Sequence, residues 1–339
     1  MKKLFTLLII ISMSLAVFAG DVARKGTTGA DELLIPVGAR GIATGGAFLA
    51  NLTGLESIYY NPAGLDVIPQ TEAMFSYMNY IADINVSYFA ASTSLGDVGS
   101  IGLSIKSLSF GDIPVTTADF PDGTGDNYSP DFIVLGLTYS KVITDRISVG
   151  TNVKLINETI VNTTANGFCI DVGVQYRFDS HLSIGASMKN IGPNMKFSGP
   201  DLQQTTEIQN TFLGTNNGTF EISTEEFQIP SYFELSATYT YPFNEQNSLA
   251  LASTYTANNA LEDKFLFGLE YSYLNTLFLR GGYNMLVQNM DQSIYGFTAG
   301  AGISYQIADQ IGVGFDYAFR DVKEFPSANH IVTVKLMFE

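Results

Sequence analysis

The sequence of 339 residues contains no tryptophan, one cysteine and two histidines, and only 15% of it is charged. Each shortage excludes something. The single cysteine, Cys169, has no partner for a disulfide within the chain, so stability must come from packing and backbone hydrogen bonds. Cys169 itself suits a small buried side chain better than a reactive thiol. His181 and His330 lie outside any metal-ligand spacing. Gly-x-Ser-x-Gly and phosphate-loop motifs are absent, and the adjacent carboxylates Glu225 and Glu226 sit in a stretch suited to a solvated loop. No enzyme chemistry, cofactor or metal is expected. The formal net charge of −16 disfavours nucleic acid as a partner. Nothing after the N-terminus approaches the roughly 20 apolar residues of a membrane-spanning helix.

What is present points to a different kind of membrane protein. Soluble domains carry about 25% charged residues, so much of this surface must face something other than water. Hydrophobic residues make up 46% of the chain, with 32 Gly, 18 Tyr and 24 Phe. At the N-terminus, Lys2 and Lys3 precede an apolar run from Leu4 to Ile11, and Val17-Phe18-Ala19 offers a small-residue cleavage site. Residues 1–19 therefore have the form of a secretory signal peptide, which implies export; taken with the strand pattern that follows, the expected location is the outer membrane of a Gram-negative-type cell.

The dominant signal is an alternation of period two, the mark of a strand with unlike faces. Phe168, Ile170, Val172, Val174 and Tyr176 alternate with Cys169, Asp171, Gly173, Gln175 and Arg177. Phe265, Phe267, Leu269, Tyr271 and Tyr273 alternate with Leu266, Gly268, Glu270 and Ser272. The second face is rich in Gly, Ser, Thr and Asn with isolated charges, which suits a tight barrel lumen better than a solvated sandwich face. Strands are predicted at 71–80, 84–95, 98–109, 131–142, 146–157, 164–178, 181–191, 230–242, 246–257, 263–273, 275–287, 292–306, 309–320 and 328–338. The expected fold is all-β: a transmembrane antiparallel β-barrel of about 14 strands over residues 71–339. Short links then fall on the periplasmic side and long links (110–130, 192–229, 321–327) outside. Aromatic residues such as Tyr139, Tyr241, Tyr273, Tyr305 and Phe338 gather at the periplasmic rim, where amphipathic rings favour the interface.

Residues 20–70 lack this alternation. They are rich in small residues from Val37 to Ala50 and continue into Tyr59-Tyr60-Asn61-Pro62-Ala63-Gly64-Leu65. Glycines at this density allow close backbone packing, and the lumen is the natural place for such a segment. Pro62 fixes its own φ and biases Asn61 away from helix, while the Asn61 side chain suits bonding to nearby backbone. Arg40, the one charge in the glycine-rich block, is expected to meet a lumen carboxylate: Asp171, Glu234, Glu270 or Asp316. The remaining lumen charges, among them Lys106, Lys154, Lys189, Lys264, Arg280, Arg320 and Lys335, are expected to pair with one another and with this segment.

The Pro36-Val37-Gly38-Ala39-Arg40 run, the Gly45-Gly46-Ala47-Phe48 step and the Asn61-Pro62-Ala63 block resemble the start of the PorV/PorQ family, related to the FadL fatty-acid transporters. The resemblance implies that residues 20–70 form a hatch or plug, with Gly38, Arg40, Gly45, Gly46, Asn61, Pro62 and Ala63 as its motif. It also implies one of two roles. The first is an accessory of type IX secretion, with exported cargo or secretion components as partners. The second is passive transport of a hydrophobic small molecule such as a long-chain fatty acid. Phe212, Phe220, Phe227 and Ile229, in the long 192–229 link, are the candidate contacts for ligand or partner. A barrel whose hatch never opens is a third possibility. Outer-membrane lipid is the expected surrounding in every case.

Overall fold

A computed structural model describes residues 26–207, 217–290, 293–308 and 310–338. The expected signal peptide and Phe212 lie outside the described residues.

Fourteen antiparallel strands form the wall: β1 (Thr71–Asn79), β2 (Asn85–Ser94), β3 (Ser100–Ser109), β4 (Asp131–Thr144), β5 (Ile147–Ile160), β6 (Thr163–Arg177), β7 (Leu182–Ile191), β8 (Tyr232–Asn244), β9 (Asn247–Asn258), β10 (Lys264–Tyr273), β11 (Leu277–Leu286), β12 (Tyr295–Ala308), β13 (Ile311–Val322) and β14 (Asn329–Phe338). Each pairs with its sequence neighbours, and β1 pairs with β14 from Thr71↔Phe338 to Asn79↔His330. That last pairing closes the barrel. Closure leaves no strand edge, which a chain in lipid cannot tolerate because unpaired backbone groups there have no water to bond.

Burial follows the alternation read from the sequence. Along β13 the outward set Ile311, Phe315 and Tyr317 is exposed, while Gly312, Gly314, Asp316 and Ala318 face inward and are buried. Leucines such as Leu103, Leu137 and Leu279 project fully from the wall. Such a surface is stable only against an apolar medium, since a large continuous apolar face in water drives association. No helix among the described residues is long and apolar enough to cross a membrane; strands make the crossing.

The link lengths follow the expected alternation only in part: on the side of the two long links, β5 and β6 are joined through Val161 and Asn162 alone, and the expected long link 321–327 is short because β13 runs to Val322. On one side they are brief, as at Thr144 to Ile147 and Asn244 to Asn247. On the other side two are long. Residues 110–130 carry a small ladder, Ile113–Pro114 against Asn127–Tyr128. Residues 192–231 carry a hairpin, Gln203–Glu207 against Asn217–Glu221, and a two-residue piece, Phe197–Ser198, alongside β6. Tyr139, Phe178, Tyr241, Tyr273, Tyr305 and Phe338 stand exposed on the outer face at the short-link rim.

The barrel is filled. Two short helices, α1 (Ala39–Ala43) and α2 (Ser57–Tyr60), and two 3-10 turns, Asp31–Leu34 and Pro62–Val67, lie within it before β1 begins. The buried apolar clusters run between this segment and the wall: Ile35, Ala39 and Ile42 with Met78, Val86 and Ile331, and Val37, Leu55, Ile58 and Leu65 with Met74 and Tyr88. The core of this protein is therefore the lumen itself.

Candidate functional site

The lumenal segment has few long side chains to offer, so contact is made largely by its backbone. Wall hydroxyls and amides supply the partners. Thr333 Oγ1 accepts from the Ala39 amide at 2.8 Å. Thr298 donates to the Ala43 carbonyl at 2.9 Å. Ser236 and Thr254 both donate to the Ala47 carbonyl, at 2.9 and 2.8 Å. The Gln175 amide donates to Leu49 and Leu52, each at 3.0 Å. The Lys106 ammonium donates to Ile35 at 2.8 Å. A non-regular segment buried this deeply must have its polar groups satisfied, and the Ser/Thr-rich inward face does so.

The Asn-Pro-Ala block shows the fit most closely. Asn61 is fully buried and caps the Pro62–Val67 turn, its Oδ1 accepting from the Ala63 amide at 3.2 Å. Its Nδ2 donates to Leu49 and, across to β6, to Val174, at 3.2 and 3.1 Å. Ala63 is reached by Ser140, which donates to its carbonyl at 3.1 Å. Gly150 and Gly173 are directly paired on β5 and β6. A Cβ on Gly173 would lie 1.9 Å from Asn61 Oδ1, and one on Gly150 would lie 2.3 Å from the Pro62 carbonyl carbon. The paired glycines are the seat of this turn.

Gly38, Gly45 and Gly46 all adopt positive φ, at 81°, 65° and 77°, a region that costs a side-chain-bearing residue roughly 1–2 kcal/mol. Gly45 is pressed against β10 and β11: its amide nitrogen would meet a Cβ on Gly282 at 2.3 Å. The motif residues are thus in contact with the wall on several sides of the lumen.

Arg40 finds Glu270, one of the four carboxylates expected. The contact is bidentate, Nε and an Nη each 2.9 Å from the carboxylate oxygens. Burial works against the charge on Arg40, but the facing Glu270 more than offsets it and the guanidinium pKa is raised. Glu270 also accepts from Arg280 at 2.6 Å, and Arg280 reaches Asp316 at 2.5 Å. Lys335 stands 3.6 Å from Glu56 of the segment and 3.8 Å from Asp316. A connected network of charges therefore ties the segment to β10, β11, β13 and β14. Elsewhere Lys154 pairs with Asp171 at 2.8 Å and Lys189 with Glu234 at 3.9 Å. Arg320 and Lys264 make no ion pair among the described residues.

Toward the long-link side, Glu32 is buried against Glu158 of β5. Burial, and then the facing carboxylate, push the Glu32 pKa up to about 8, with Lys106 opposing. Both Glu32 carboxylate oxygens are buried with no hydrogen-bond partner among the described residues.

The outer-link candidates separate. Phe227 packs on Phe197 and against Ala30, Leu33, Met195 and Ile229, so Phe227 and Ile229 cover the start of the lumenal segment. Phe220 lies on the projecting hairpin and is exposed. The described aromatics of this link therefore form a cover and a projecting point, not one cluster. No group of side chains able to hold a metal occurs among the described residues. Sequence reasoning missed Gln175, Glu56 and Glu32. Gln175 had the parity of a lumen residue, but the two glutamates precede the strands, where no alternation assigns a face.

Residues 55–336 match the family described as type IX secretion system membrane protein PorP/SprF. The chain belongs to that family. The matched description names PorP/SprF where the motif resemblance pointed to PorV/PorQ; type IX secretion is common to both. No curated protein matches the chain in sequence. Among solved structures, the chain is similar in fold to the CymD monoaromatic hydrocarbon channel, at 13% identity and a TM-score of 0.56, covering 90% of this chain and 98% of that one. The Ralstonia pickettii toluene transporter TbuX aligns at 14% identity and 0.54, covering 89% and 98%. A Pseudomonas aeruginosa FadL homologue aligns at 12% and 0.56, covering 90% and 98%. These likenesses show the fold alone, a barrel of the same architecture as these channels. Family and fold together make the PorP/SprF-family chain an outer-membrane β-barrel.

Proposed function

We propose that this protein is an outer-membrane component of type IX secretion that acts by binding exported cargo or another component of the system. Residues 20–70 serve as a hatch that keeps the barrel closed, after export by a signal peptide comprising residues 1–19. The family match over residues 55–336 carries the reading, because it spans the end of the hatch and nearly the whole barrel. The filled lumen supports it: a barrel whose interior is packed works through its surfaces rather than as an open pore. The contact surface is the long links 110–130 and 192–229. Their small ladders hold exposed groups such as Phe120 and Phe220 clear of the membrane. The motif likeness to PorV/PorQ favours cargo over a purely structural partner. Deleting the gene should abolish surface anchoring of type IX cargo, and trimming the Gln203–Glu221 hairpin should abolish co-purification with it. Normal anchoring in the deletion strain would sink the reading.

A hydrophobic transporter is the second reading, favoured by one observation. An apolar hollow of about 610 Å³ opens on the wall across β8–β12, lined by Tyr239, Leu251, Phe267, Gly281 and Phe297. The wall there includes Gly268 and Gly282, which lie against Thr44 and Gly45 of the segment. Saturable binding of toluene or a long-chain fatty acid, lost on Gly281→Leu, would support it; no binding across both classes would count against it.

A further inference from the structure

The base of the long 192–231 link is fixed to the barrel at several points. Phe197 pairs with Ala165 of β6, and Asp201 accepts from the Asn162 amide and side chain at 3.1 and 3.0 Å. Phe227 lies against Gly29, whose amide donates to the Gln228 carbonyl at 3.1 Å. Met195 and Phe227 exchange backbone hydrogen bonds of 2.9 Å. The hairpin of Gln203–Glu207 against Asn217–Glu221 continues from that base, and no third strand flanks it among the described residues. A ribbon anchored at its root is presented outward in a defined conformation, which lowers the ordering cost of binding.

Its edges carry open main-chain groups. The Ile222 amide donates to the Leu202 carbonyl at 2.7 Å, and the register continues from there through Gln203↔Glu221. Hydrogen-bonded and non-hydrogen-bonded pairs alternate in an antiparallel ladder. Gln204↔Phe220 and Thr206↔Gly218 therefore bond across the ribbon. Gln203 and Thr205 on one strand, and Thr219 and Glu221 on the other, turn N–H and C=O outward, and all four residues are exposed. Sheet edges are ordinarily guarded by lysine, proline or a bulge. Residues 203–207 and 217–221 contain neither lysine nor proline, and their register runs without a shift. Such an edge accepts an added strand, with affinity supplied by the main chain.

Charge decides which kind of strand. The links 110–130 and 192–231 hold four and five acidic residues, and Lys196 is the one basic residue in either. A second copy of the hairpin would set like charge against like, whereas a basic segment is attracted. We propose that the paired strands Gln203–Glu207 and Asn217–Glu221 bind an exported protein by taking a basic, extended segment of it as an added strand. That the partner is exported cargo rests on the secretion reading; that the ribbon takes a basic strand rests on the ribbon and its charge.

Fluorescence anisotropy of the full-length protein in detergent tests this with three labelled peptides of about ten residues. The first alternates lysine and valine, the second is the same peptide N-methylated at every backbone nitrogen, and the third carries glutamate in place of lysine. The lysine–valine peptide should bind saturably, and more weakly as ionic strength rises. N-methylation keeps the charge but removes every main-chain donor, and should weaken binding roughly tenfold or more. The glutamate peptide should not bind. Thr205→Pro with Thr219→Pro removes an outward N–H from each edge without cutting a bond across the ribbon, and should also cost roughly tenfold. Thr205→Val with Thr219→Val keeps both amides and should change nothing. Heat-modifiable migration on gels confirms that each variant is a folded barrel; if the proline pair fails it, the methylated peptide on the wild type decides. Equal affinity for the methylated peptide, binding of the glutamate peptide, no saturable binding, unchanged affinity in the folded proline pair, or self-association through the hairpin would each overturn the proposal. Normal cargo anchoring in the deletion strain would sink the secretion reading alone, and failure of the peptide assay would sink the ribbon alone.

Discussion

Replacing Arg40 with methionine removes the one charge of the glycine-rich block in the lumenal segment while keeping most of the side chain's volume. Two charge-assisted hydrogen bonds to Glu270 are lost, each worth roughly 1.5–3 kcal/mol when buried. Arg40 retains some exposure, so the lower end applies, and docking should weaken by about 3 kcal/mol. At about 1.4 kcal/mol per tenfold, the undocked population rises more than about a hundredfold. Glu270 is not stranded, because Arg280 still lies 2.6 Å away. The reverse change is harsher. Glu270→Gln leaves Arg40 buried without its carboxylate and cuts one of the two acids holding Arg280, and breaking a buried pair from one side costs about 3–5 kcal/mol. The double variant should recover part of that loss, since the uncompensated charge on Arg40 is gone. Hydrogen exchange of the amides in residues 38–56, in bilayer discs, reads the opening directly. Unchanged exchange in Arg40→Met would refute the reasoning. So would single-variant effects that simply add in the double variant, because residues in one network should couple.

Other consequences are smaller. Gly173→Ala places a methyl group against Asn61, and overpacking of that kind costs about 1–3 kcal/mol; thermal unfolding should fall by several degrees, while Gly281→Ala on the lipid face should not. Asn61→Ala deletes three hydrogen bonds from a fully buried side chain, a loss of about 2–3 kcal/mol visible as faster exchange over residues 49–66. Glu32, held at a raised pKa, favours the docked turn when protonated. That contribution is complete below the ordinary glutamate value and is lost as pH rises toward and through about 8. Exchange of residues 29–35, corrected for its intrinsic rate, should therefore accelerate from pH 6 to pH 9, and Glu32→Gln should flatten the profile. Leu137→Arg on the outer face should cost about 2–4 kcal/mol if that position lies near the bilayer midplane; no effect in lipid vesicles would contradict the membrane placement of β4.

The wall was legible in the sequence because lipid and lumen impose opposite demands on alternate residues. The interval 146–157 became Ile147–Ile160 and 292–306 became Tyr295–Ala308, differences confined to strand ends, where alternation fades into links. The interior was legible only in kind. Arg40 announced a carboxylate partner, but Glu270 and Asp316 share the same parity, and only barrel register distinguishes them. Gly150 and Gly173 were visible as inward glycines; that they face each other beneath Asn61 depends on the pairing of β5 with β6. The long link between β7 and β8 carries no period that would have separated Phe227, turned onto the lumenal segment, from Phe220 on its hairpin. Arg320 was expected to pair with another charge. It meets Asn329 and Tyr295 instead, because no inward carboxylate of the described residues lies within reach at its level of the barrel.

The central claim is that this PorP/SprF-family barrel is closed by its own N-terminal segment. Single-channel recording of the purified full-length protein in planar bilayers tests it most directly. The wild type should show no sustained conductance, and Glu270→Gln should show openings as the charge network is broken. A large, steady conductance from the wild type, as from a water-filled porin, would contradict the account.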